Sequence, residues 1–208
     1  METTETGAPK INIADEKIGH AGTTVKNGIV SSLEGINAIE AEIVTLVRST
    51  VSNTLRATGA VANEGVTIAK DVMKGSILAA EEIGSGLILS TKSVAKGLIM
   101  GIADVGGDVI NAARETAKAA VHGAADVGAD VGTVARRAVD GILEAATETG
   151  GNAAQIATAA TNGAIEAAGT ISNTAVRIVK EVLIGAAGGV KEVAGAALPH
   201  ASSESQPK

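Results

Sequence analysis

The chain has 208 residues and contains no Phe, Tyr, Trp or Cys. Apolar surface must therefore be buried by Ala, Val, Ile, Leu and Met alone. A base-stacking platform, an aromatic cage, an aromatic membrane belt, a disulfide framework and a thiolate centre are all excluded. The formal net charge of −6, from 17 basic and 23 acidic residues, provides no footprint for nucleic acid.

Residues 1–20, METTETGAPKINIADEKIGH, lack a charged segment followed by an apolar one, so no signal peptide is predicted and the stretch reads as a disordered tail. From residue 21 a 22-residue period begins, and eight units run to residue 196 without an insertion. Steps of 22 through Gly75 meet Ser31, Asn53, Gly97, Ala119, Gly141, Gly163 and Gly185, small in seven of eight units. Two positions later stand Leu33, Leu55, Ile77, Ile99, Val121, Leu143 and Ile165, with Ala187 last. Eight positions after the small residue come Ile39, Val61, Ile83, Val105, Val127, Ile171 and Val193, interrupted by Thr149. A basic residue recurs further on, as Arg48, Lys70, Lys92, Arg114, Arg136 and Lys180, with Thr158 the one exception. The repeat region is bounded at 21–198, and PHASSESQPK at 199–208 reads as a second disordered tail.

Twice eleven residues is a helical period, since eleven residues close about three turns. The repeated aliphatic positions fall in one sector of a helical wheel and the charged ones in the rest. The fold class expected is all-α: one long amphipathic helix, or a few long pieces, built from eight 22-residue (2 × 11) repeats. A single helix of 176 residues would span on the order of 260 Å. The repeats also hold 24 of the 26 glycines, each costing up to ~1 kcal/mol in a helix interior. Gly106-Gly107, Gly150-Gly151 and Gly188-Gly189 are accordingly the expected hinges. A β-solenoid would need β-branched runs and Asn/Gly corners, which stretches such as ARRAVDGILEAA (Ala135–Ala146) lack. No run is long and apolar enough for a membrane span.

The charges sort by phase. Lys74, Lys96 and Lys118 join the recurring basic residues at one edge of the apolar face. Glu82, Asp104, Asp126, Glu148 and Glu192, with Asp108 and Asp130, lie toward the other, and Glu34, Glu144 and Glu166 sit between. Parallel helices side by side could pair basic edge with acidic edge; the bland alternative is a solvated face with local pairs such as Arg177 and Glu181. His20, His122 and His200 show no metal-ligand spacing. His122 takes the position held by Glu144 and Glu166 in later repeats and reads as a solvated histidine. The GSG at Gly84–Gly86 lacks the third glycine of a phosphate loop. No catalytic residue, cofactor, metal or small-molecule substrate is expected, because a repeat that copies the same side chains has no unique site.

The 11-residue period, the apolar half-face and the basic border resemble lipid-surface proteins: the synucleins, the perilipins and the exchangeable apolipoproteins. VKNGIV (Val25–Val30) and AAVHGAADVGADVG (Ala119–Gly132) carry the likeness, which covers residues 21–196 in pattern. The KTKEGV core of synucleins and the proline punctuation of apolipoproteins are missing. The resemblance implies a non-catalytic coat on a membrane, lipid droplet or storage granule, cytoplasmic and peripheral, with the aliphatic positions above as its surface-binding face. The alternative expectation is a self-assembling homo-oligomer, in which helices bury those faces against one another and match their charges.

Overall fold

The computed structural model describes residues 19–59, 61–83 and 87–196. Among them the chain forms seven α-helices and no strand. They are α1 (Gly19–Thr58), α2 (Val61–Ile83), α3 (Leu87–Ala103), α4 (Val109–Asp126), α5 (Val131–Glu148), α6 (Ala153–Ile171) and α7 (Asn173–Ala196). The expected tails lie outside the described residues, apart from Gly19 and His20, which open α1; so does Gly84–Gly86. The unit boundary falls inside α1: its described residues before Glu40 belong to a first unit, and the rest of α1, from Glu40, belongs with α2 to α7 to a second.

The helices are shorter than a continuous amphipathic rod because the chain carries a stop and a start signal at fixed intervals. Helices α4, α5 and α6 begin at Val109, Val131 and Ala153, 22 residues apart. Each is preceded by a capping side chain. Asp108 accepts from the Asn111 N–H, Asp130 from the Gly132 and Thr133 N–H groups, and Asn152 from the Gln155 N–H. Two residues before each cap stands a glycine with positive φ, at 70° in Gly106, 69° in Gly128 and 71° in Gly150. The left-handed residue lets following N–H groups fold back onto the last carbonyls of the helix. Gly107, Ala129 and Gly151 donate to Ile102, Ala124 and Ala146 at 2.9, 2.8 and 3.0 Å.

A single left-handed residue followed by a cap is sufficient, and a double glycine is not required. Gly106-Gly107 and Gly150-Gly151 are turns rather than bends in a longer helix, Gly128-Ala129 turns equally well, and α7 runs through Gly188-Gly189. The α6–α7 junction uses Ser172 instead, in extended conformation, with its hydroxyl accepting from the Ala175 N–H.

In the second unit each helix packs on its neighbours in sequence and on the next but one. Helix α4 meets α2, α3, α5 and α6; α5 meets α3, α4, α6 and α7. Odd helices therefore line up in one layer and even helices in the other, as in a repeat array whose contacts are all near neighbours. Within a layer the helices run parallel: Gly97 of α3 lies on the Val44 carbonyl of α1, and Gly101, one turn on, lies on that of Arg48. Closeness is extreme at Gly141 and Gly163, where a Cβ would collide with the backbone of Lys92 and of Arg114 two helices earlier. Between the layers lies a core of Ala with a few larger side chains, among them Leu55, Met73, Ile77, Leu98, Ile99, Ile142 and Ile156. Without aromatic bulk, near approach of backbones supplies the packing density.

Candidate functional site

Parallel alignment within each layer sets the basic edge of one helix against a carboxylate edge two helices later. Arg48 of α1 holds Asp104, just past α3, through two hydrogen bonds of 2.6 and 2.7 Å. Lys92 of α3 reaches Glu144 of α5 at 2.5 Å, and Lys96 reaches Glu148 at 2.6 Å and Glu144 at 3.6 Å. In the other layer Arg114 and Lys118 of α4 converge on Glu166 of α6, the second at 2.6 Å. Lys70 of α2 meets Glu115 of α4 at 3.0 Å.

These pairs perturb their members as charge-assisted hydrogen bonds should. Hydrogen bonds from Lys118 and Arg114 lower the Glu166 carboxyl from its ordinary 4.5 to about 2. The Arg48 guanidinium likewise lowers Asp104, and the hydrogen bond to Glu148 raises Lys96. Glu144, Glu148 and Glu166 are well exposed, so their rungs order the helices more than they stabilise them.

Of the recurring basic residues, Arg48, Lys70, Lys92 and Arg114 make these contacts between helices, whereas Arg136 pairs within α5 with Asp140 at 3.8 Å. Lys180 is exposed on α7 with no ion pair among the described residues. Glu144 and Glu166, placed by phase between the two edges, are principal acceptors; Asp108 and Asp130 serve as helix caps instead of edge charges. The capping role was legible as Asp or Asn two residues after a glycine, in ADVGGDV and ADVGADV. The side chains of Glu82 and Glu192 are outside the described residues.

The aliphatic face turns mainly inward. Leu55, Ile77, Ile99 and Val121 are buried, and Val105, Val127, Leu143 and Ile165 pack against the core at its margin. Ile39 and Ile171 are exposed. Leu33, Val61, Ile83 and Val193 lie on described helices, but their side chains are outside the described residues.

Hollows open between helices of one layer beside the charge ladder. A cleft of 770 Å³ between α4 and α6 is lined by Ile110, Asn111, Arg114, Gln155 and Thr158 among others. A smaller one of 280 Å³ between α2 and α4 is lined by Lys70, Lys74, Lys118, Ala119, His122, Gly123 and Asp126. Among the described residues no cluster of His, Asp and Glu is placed to hold a metal, and no helix is long and apolar enough to cross a membrane. In comparisons with known proteins the chain matches no protein-family model, no curated protein and no solved structure.

Proposed function

We propose that the chain is a non-catalytic scaffold that assembles with copies of itself, end to end. The reading is carried by the outer edges of the terminal helices. On α7, Ile178 and Val182 face Gly132 of α5. Lys180 and Ile184 lie roughly half a turn round, at about 100° per residue. Both are exposed, Ile184 to 72 %. On α1, Val44, Val47, Arg48 and Val51 face α3, and Glu42 and Leu46 project from the opposite side, Leu46 being 66 % exposed. A basic edge with an isoleucine at one end thus complements an acidic edge with a leucine at the other. The pairing continues the rule that operates inside the chain, and a head-to-tail contact of this kind propagates without closing.

Sedimentation across a concentration series tests the reading. The wild type is expected to grow with concentration. Leu46→Asp and Ile184→Asp should each sediment as monomers, because each spoils one end. Mixed, they should form a dimer through the one good end each retains. A wild type that stays monomeric throughout overturns the proposal.

A second reading, the peripheral coat on a lipid or granule surface, is favoured by Ile39, which is 53 % exposed in the first unit with Ile36 near it. Flotation with lipid vesicles, lost on Ile39→Asp, would support it.

A further inference from the structure

Three rungs of the charge ladder share one offset, which Arg48–Asp104, 56 residues apart, and Lys70–Glu115 do not keep. Lys92 meets Glu144, Lys96 meets Glu148 and Arg114 meets Glu166, always 52 residues on. The same step from Lys74 leads to Asp126, but from Lys70 it leads to His122. An imidazole therefore stands where the next two rungs carry a carboxylate.

The consequence is local. Lys70 turns to Glu115 at 3.0 Å, and Lys118, from the same helix as His122, is drawn to Glu166 of α6. Lys74 is exposed and has no ion-pair partner among the described residues. The 280 Å³ hollow opens at this rung, lined by Lys70, Lys74, Lys118 and His122, with Asp126 the one carboxylate in the lining. Gly123 also lines it, and Ile77 of α2 packs against that glycine, bringing the two helices close at this point.

We propose that this groove between α2 and α4 binds a phosphate group, which takes the place of the missing carboxylate and is held by Lys74 and His122, with Lys70 and Lys118 lining the groove beside their ion pairs to Glu115 and Glu166. At 280 Å³ the groove has room for a tetrahedral oxyanion together with hydration water. Lysine suits the task as a flexible point charge with three donors. The oxyanion links α2 to α4 as Glu144 links α5 to α3. The groove opens to solvent, so the phosphate can be free or the end of a phosphomonoester.

The three histidines of the chain make the test internally controlled. The full chain is titrated with inorganic phosphate, and separately with phenyl phosphate, at constant pH and ionic strength. Imidazole proton resonances and thermal unfolding are followed. The expected result is a saturable shift of the His122 resonance, with His20 and His200 unmoved, and a rise in melting temperature. Saturation by both probes assigns a phosphomonoester site; saturation by inorganic phosphate alone assigns a site for the free anion. His122→Glu should restore the rung, melt higher than the wild type without phosphate, and lose the response. Lys74→Gln keeps the fold intact and should weaken binding roughly tenfold or more, as loss of a charged hydrogen bond does. The proposal is overturned if the three histidines shift together, if neither probe saturates, or if Lys74→Gln binds phosphate as tightly as the wild type.

Discussion

Glycines 128 and 163 show how one residue type answers two different demands. Gly128 has open space around its missing side chain but sits at φ 69°, so its cost is conformational. Gly128→Ala should lower stability by about 1 kcal/mol, and Gly128→Asn by less, because Asn tolerates the left-handed region. Gly163 has ordinary helical geometry but presses on the Arg114 backbone, so its cost is steric. Gly163→Ala should cost about 1–3 kcal/mol by forcing α4 and α6 apart. Chemical denaturation of the three variants checks both causes: a smaller loss for Gly128→Asn than for Gly128→Ala marks a conformational cost, and a larger loss for Gly163→Ala marks a steric one. Thr116 is the opposite case. Its side chain is fully buried in α4, and its hydroxyl has no hydrogen-bond partner among the described residues. Thr116→Val keeps the shape and removes the orphaned group. A gain of about 1 kcal/mol in thermal unfolding is expected, and a loss would mean that the hydroxyl is satisfied in solution.

At the scale of the element, the unit of this protein is a helix of about five turns with its own stop and start. Asp130 satisfies two N–H groups at the beginning of α5. Asp130→Ala should cost about 1 kcal/mol, and Asp130→Asn much less, read from helical content against temperature. The α4–α6 pair should respond to acid. Lys118 and Arg114 hold the Glu166 carboxyl at about 2 against an ordinary value of 4.5. A carboxyl lowered by folding contributes stability that is fully present above its unfolded pKa and lost as pH falls through the folded one. The contribution of Glu166 should therefore fade between roughly pH 4.5 and 2. In Glu166→Gln that part of the pH dependence should vanish, and an unchanged acid transition would show that the pair does not form.

For the whole molecule, contact range sets behaviour. Among the described residues helix α5 touches α3, α4, α6 and α7 and does not pack on α2. A cavity in α5 should loosen its neighbours first. Ile142 is fully buried there, and Ile142→Ala should cost about 2–5 kcal/mol. Amide exchange should quicken in α3 through α7 and least in α2. Uniform acceleration would mean one cooperative core in place of a near-neighbour array.

The all-helical class, which the described residues show, could be read from the chain itself, because helical periodicity is a property of local phase. Leu55, Ile77, Ile99 and Val121 were legible as one face for the same reason. Where that face points was not legible: an amphipathic helix has the same pattern whether it lies on lipid or on another helix. Nor did phase alone separate a bend from a turn at Gly106 and Gly150, since that depended on capping by Asp108 and Asn152. Tertiary structure decided the partner of each charge. Glu144 and Glu166 fall between the edges on a straight wheel, yet they meet Lys92 and Arg114 because the helices return in parallel, two positions along the array. Local sequence dictates which side of a helix is charged; which helix stands opposite depends on how the turns bring the chain back.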